Sequence, residues 1–272
     1  MQTISINFII PSRWTELSDK QLRYIYEMIA QDFATDEKQC QQEQNGACSN
    51  YAECSLFCWE EIKTLALLKW SSTKIVGRQE SGSYLLQKGK ILFEVTPLSI
   101  AELLPELEWL GKLPSTPVRI SKLHRCEALP ANFQGVPFET YIMVDNLYQG
   151  YLQTHQDALL DELAGILYGK ALKLQPFERI NVFYWVASLK EYFAKKYPDF
   201  YQPMSAGADG NLLGSSTPKV EEAMNAQIRA LTKGDITKEA EILAMDTWRA
   251  LTELNAQAKE YAELNAKINS KS

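Results

Sequence analysis

Pro176-Phe177-Glu178-Arg179-Ile180-Asn181-Val182-Phe183-Tyr184-Trp185-Val186-Ala187-Ser188-Leu189 decides the fold class. Proline is at home in a first helical turn, and the spacing predicts a helix over 177–197. Its centre, Val182 to Val186, is apolar on nearly all sides. A helix greasy all round has to be surrounded, so it marks the buried centre of a helical bundle. Pro198 ends it, because the residue before a proline avoids the α region.

Two further helices precede this one. Pro137 opens a segment carrying Phe138, Tyr141, Ile142, Tyr148 and Leu152. Leu159, Leu160, Leu163, Ile166 and Leu167 then form a stripe that stops near Gly169. Aromatic residues crowd into 138–201, as a tightly packed core requires.

The first half of the chain is mixed. Ser18 and Gln21 have capping-box spacing, and Leu22, Ile25, Ile29 and Phe33 recur at helical intervals, predicting a helix over 19–34. Residues 36–58 change to Gln, Glu, Asn and Cys and read as a surface insertion. A second helix is expected over 58–70. Lys74–Gln79, Ser83–Gln87 and Ile91–Val95 follow as a three-stranded meander, and Lys88-Gly89 suits a tight turn. Ile4, Ile6 and Phe8 alternate with polar residues, so an N-terminal strand could join that sheet. Ile100, Leu103, Leu104, Leu107 and Leu110 predict another helix, and Val118–Ile120 a short strand.

Downstream, 204–218 has the Gly/Ser composition of a flexible linker. A short helix over 220–231 is followed by Gly234-Asp235, with Asp235 a fitting N-cap. A long helix then runs to about 269, with Trp248, Leu251, Leu254, Ala258, Tyr261 and Ile268 along one side. The expected fold is therefore α+β and mostly α: N-terminal helices with a small antiparallel meander, then a helical bundle and a long C-terminal helix. The expected parts are 1–130 with its cysteine-rich insertion, an aromatic-rich helical region at 131–203, the linker, and C-terminal helices over 219–272.

Composition narrows the function classes. With 272 residues and a net charge of −6, the chain can bury a core, and its acidity argues against nucleic-acid or anionic-membrane partners. The N-terminus lacks the basic region of a signal peptide, and no apolar run reaches the ~20 residues of a membrane span. A cytoplasmic protein is expected.

Chemical motifs are few. Cys40, Cys48, Cys54 and Cys58 are spaced C-x7-C-x5-C-x3-C, without the C-x2-C knuckle usual in zinc sites. They read as reduced thiols or as a zinc-binding structural module. His124 lies two residues from Cys126, which suggests a nucleophile and base. A structural role fits better, since nothing fixes a proton transfer between them. His155 joins two helices. Neither H-E-x-x-H nor G-x-S-x-G occurs. Adjacent carboxylates such as Glu60/Glu61 point about 100° apart on a helix and form no acid–base pair. No catalytic residue is assigned, and a non-enzymatic role is expected.

Three stretches carry a resemblance. They are Pro105-Glu106-Leu107-Glu108-Trp109-Leu110-Gly111, Phe133-Gln134-Gly135-Val136-Pro137-Phe138-Glu139, and 211–261 with Asp246-Thr247-Trp248-Arg249-Ala250-Leu251-Thr252-Glu253-Leu254-Asn255. Together they resemble an uncharacterised family of prophage proteins from gut bacteria. The resemblance implies a tail-morphogenesis role in the style of tail assembly chaperones. Its partners would be other phage tail proteins, such as the tape measure or tail tube, in the host cytoplasm or on the virion, with oligomers allowed. The cysteine-bearing insertion departs from the family pattern. In this reading the last helix docks on a partner through Trp248, Leu251, Leu254 and Tyr261, as helix-in-groove recognition does. The same stripe suits packing on the chain's own core equally well.

Overall fold

In the computed structural model the described residues are 10–43, 59–70, 73–201 and 217–269, with backbone alone described at 32–43, 217–224 and 269. The chain divides into two units, Met1–Pro114 and Ser115–Ser272. The division falls after Pro114, earlier than the boundary at 130 suggested by the sequence.

In the first unit, Ser18 and Gln21 form the capping box: the Ser18 backbone N–H donates to Gln21 Oε1 at 2.9 Å, and Gln21 N–H to Ser18 Oγ at 3.4 Å. Helix α1 spans Asp19–Glu43 and buries Leu22, Ile25, Tyr26 and Ile29. It runs past 34, because Glu37 to Glu43 is rich in helix formers that extend a started helix. The stretch at 36–43 is therefore helix rather than insertion. Residues 44–58 and the expected strand at 4–8 lie outside the described residues.

Helix α2 (Trp59–Trp70) buries Ile62, Ala66, Leu67 and Leu68. The Trp14 indole donates to the carbonyls of Trp109 and Lys112 at 3.2 and 2.9 Å, and the Trp109 indole to that of Pro11 at 3.1 Å.

Strands β1 (Lys74–Arg78), β2 (Tyr84–Lys88) and β3 (Ile91–Val95) form the expected antiparallel meander. Lys88 pairs with Ile91, so the two-residue loop is Gly89-Lys90, one position later than expected. Gly89 has φ +62°, the left-handed conformation that a glycine opening a tight hairpin loop supplies.

The helix expected through Ile100 and Leu110 splits in two. Helix α3 covers Pro97–Ala101, and a 3-10 helix covers Leu104–Gly111. Pro105 explains the break: it has no N–H to give, and its ring clashes with the carbonyl four residues back.

The second unit opens with a hairpin of β4 (Lys122–Leu123) and β5 (Cys126–Glu127). His124 and Arg125 form its turn at φ 48° and 70°, as a two-residue turn with positive φ at both centres demands. The expected strand at 118–120 is absent. Its backbone is satisfied by side chains instead: Ile120 N–H donates to Asn181 Oδ1 at 2.8 Å, and the Tyr168 hydroxyl to the Ile120 carbonyl at 2.8 Å.

Helices α4 (Phe138–Thr154), α5 (Asp157–Leu167) and α6 (Pro176–Lys196) make the bundle, with the one-turn α7 (Pro198–Tyr201) closing it. Helix α6 is continuously buried from Ile180 to Leu189. Even its polar members are paired. Asn181 also donates to the Tyr168 hydroxyl at 3.0 Å, and the Trp185 indole donates to the Ala131 carbonyl at 2.8 Å. Buried polar groups are costly unless bonded, so this helix fits one environment only.

Of the expected linker, 202–216 lies outside the described residues. Helix α8 (Thr217–Thr232) follows, and Asp235 caps the next turn by accepting from Thr237 N–H at 3.1 Å. The long C-terminal helix is then interrupted. Helix α9 (Glu239–Ala244) stops at Met245, and α10 (Thr247–Asn269) starts afresh. The cause is tertiary: Phe138 N–H donates to the Met245 carbonyl at 2.7 Å, and Pro137 and Asp246 form a β-bridge. Helices α8 and α9 pack on α4, and α10 on α4, α7 and α8. The C-terminal helices therefore share a unit with the bundle rather than forming a separate part.

Candidate functional site

The proposed docking residues sit on α10, whose two ends differ. Its first turn is bolted to the loop before α4. Asp246 Oδ1 caps the helix by accepting from Arg249 N–H at 3.1 Å, while Oδ2 accepts from Gly135 N–H at 2.6 Å. Thr247 donates from Oγ1 to the Val136 carbonyl at 2.7 Å, and the Trp248 indole to the Asn132 carbonyl at 2.7 Å. Two of the segments that carry the family resemblance, 133–139 and 246–255, thus lie against each other. Asn255 links on to α7, accepting from Phe200 N–H and donating to Asp199 Oδ2, each at 3.1 Å.

These contacts correct the sequence reading of the stripe. Leu251 and Leu254 are buried within their own unit, and so is Ala250. Trp248 is half-buried, with the Lys196 ammonium 2.7 Å from its ring centroid and Tyr192 and Tyr197 flanking that ammonium at 5.7 and 5.6 Å. Desolvation lowers the Lys196 pKa, partly opposed by Asp246. Trp248, Leu251 and Leu254 therefore anchor the helix internally, because hydrophobic surface buries against the nearest complementary face, here the bundle.

Tyr261 alone of the four proposed docking residues faces water. Every residue from Lys259 to Ile268 is exposed. Within that stretch Tyr261, Leu264 and Ile268 are 61%, 58% and 63% exposed. Spaced by three and four, they share one helix face. Leu264 was missed as a site residue. Its signal was available in the sequence: apolar residues at 254, 261 and 268 recur every seven positions, and those at 250 and 264 each stand four positions before one of them.

A second cluster lies under a groove lined by Tyr148, Leu152, Ala187, Lys190, Ala194 and Tyr201. The Tyr141 and Tyr201 hydroxyls are 2.5 Å apart, and Lys190 pairs with Asp145 beside them. Burial raises the pKa of Tyr141 well above the ordinary tyrosine value, assisted by Tyr201 and Asp145. Burial likewise raises Tyr148 and Tyr201. Hydroxyls held protonated this firmly donate hydrogen bonds and cannot serve as bases. The cluster ties α4, α6 and α7 together.

His124 and Cys126 do not come together as nucleophile and base. The His124 Nε2 lies 3.0 Å from Glu178 Oε2, while the Cys126 thiol points to the His124 carbonyl at 3.8 Å. Glu178 is also engaged in the α6 capping box, accepting from Gln175 N–H at 2.9 Å. His155 is the left-handed C-cap of α4, with φ 55°.

Of the proposed zinc ligands, Cys40 lies in the α1 segment described by backbone alone, and Cys48, Cys54 and Cys58 lie outside the described residues. Among the described residues, no three His, Cys, Asp or Glu side chains are grouped to hold a metal ion, and no helix is long and apolar enough to cross a membrane. Comparison with known proteins finds no matching family model, no matching curated protein and no matching solved structure.

Proposed function

We propose that this chain is a non-enzymatic protein of phage tail assembly or structure, acting by protein–protein contact through the distal half of α10. Its identity as a tail protein rests on the sequence resemblance. The contact surface rests on one observation: a single helix is bolted to its bundle at one end and carries Tyr261, Leu264 and Ile268 into water at the other. Large apolar residues grouped on an exposed helix face gain free energy when a partner covers them, and i, i+3, i+7 anchors are the pattern a partner helix or groove reads. The net charge of −6 favours protein over nucleic-acid partners.

The test is Leu264→Glu carried in the prophage. After induction, tailed particles counted by electron microscopy should fall sharply while the variant accumulates to normal levels with an unchanged melting curve. Tails formed in normal number would overturn the tail-assembly reading.

A further inference from the structure

We infer that the distal face of α10 docks on the same face of a second copy of this chain, the two helices lying antiparallel. The inference rests on the interaction reading above and names its partner. Ala250, Leu254, Gln257, Tyr261, Leu264 and Ile268 alternate in steps of four and three, the a/d rhythm of a coiled coil. The bundle takes up the first two of these, since Ala250 and Leu254 are buried. The rhythm continues beyond the buried Leu254, onto the exposed Tyr261, Leu264 and Ile268. A helix in its own core has no need of that continuation.

Charge selects the occupant and its direction. Glu260 and Lys267 both occupy the position just before an a residue, at the flank of the strip, and both are exposed. In an antiparallel pair, Tyr261 packs on Leu264 of the partner copy and Ile268 on its Gln257. The two flanks then bring Glu260 against the partner copy's Lys267, and Lys267 against its Glu260. The face is thus self-complementary, as a two-fold interface requires. Sliding the register by one heptad toward the C-terminus sets Lys267 against its own counterpart, which repels. A parallel pair sets Glu260 against Asn265 and forms no ion pair. Only the antiparallel, centred arrangement uses both charges.

The experiment is sedimentation equilibrium of the full chain over a concentration series. The mass average should climb from 30.9 kDa toward twice that value. Leu264→Glu should abolish the rise with the melting curve unchanged. Lys267→Glu should weaken the dimer by about tenfold, and Glu260→Lys combined with Lys267→Glu should restore it. A chain that stays at 30.9 kDa throughout, or a double variant as weak as the single one, would overturn the inference. A photoreactive residue at Asn265, irradiated in induced cells, separates this failure from that of the broader reading. Crosslinks to another tail protein and none to a second copy defeat self-docking alone. Crosslinks to nothing defeat both.

Discussion

Helices α6 and α10 are nearly equal in length, at 21 and 23 residues, and they have opposite fates. Helix α6 is buried from Ile180 to Leu189 without interruption, and its Asn181, Trp185 and Ser188 each find a hydrogen-bond partner inside. Helix α10 is buried only as far as Leu254, and every residue from Lys259 to Ile268 is exposed. Both are rich in apolar residues. The difference lies in where those residues sit around the helix. An all-round apolar surface can be satisfied only by neighbours on every side, whereas a single stripe accepts any one partner, inside the chain or outside it. Helix α10 buries the first part of its stripe within the chain and leaves Tyr261, Leu264 and Ile268 exposed.

The contrast can be broken most severely by pH. Burial raises Tyr141, Tyr148 and Tyr201 above the unfolded tyrosine value near 10, so the folded bundle holds their protons more tightly than the unfolded chain. That stabilisation is complete below pH ~10 and is lost as pH climbs toward the folded values. The bundle should therefore unfold cooperatively above pH ~10. Phenolate absorbance should appear for these residues together with the loss of helical circular dichroism. Phenolate signals that rise while the helices persist would show the cluster to be less enclosed than it is drawn.

Trp185→Ala comes next. It empties a fully buried site and strands the Ala131 carbonyl, and should cost about 3–5 kcal/mol in urea denaturation. The sharpest comparison is made within α10 itself. Leu254→Ala should destabilise the second unit by about 2–4 kcal/mol. Leu264→Ala, ten positions along the same helix, should change the stability of the dilute chain by less than about 0.5 kcal/mol. Equal costs for the two leucines would mean that the distal half packs on its own subunit after all.

Much of this architecture could be read from residue order, because its causes are local. The capping box at Ser18, the cap at Asp235, the meander and the stop at Pro198 each depend on side chains within a few positions of the backbone they satisfy. Structure and residue order part where a distant partner intervenes. The segment 118–120 has strand-like residues, yet Asn181 and Tyr168 take its backbone groups. The break at Met245 follows from a bond to Phe138, a residue more than a hundred positions away. The break before Leu104 has a local cause, since Pro105 interrupts a helix that the apolar spacing alone would carry through.

The sequence by itself determined that α6 must be a core helix, that α10 carries an apolar stripe, and that the protein has a mostly helical α+β fold. These follow from the angular distribution of apolar side chains, which composition and spacing fix before any folding occurs. Which part of the α10 stripe would be spent inside the chain was decided only by the tertiary structure. The loop at 131–137 and the turn of α7 reach as far as Asn255, and the residues from Lys259 to Ile268 are exposed. Burial depends on the reach of neighbouring surfaces in space. The identical apolar rhythm therefore closes the core in one half of the helix and meets water in the other.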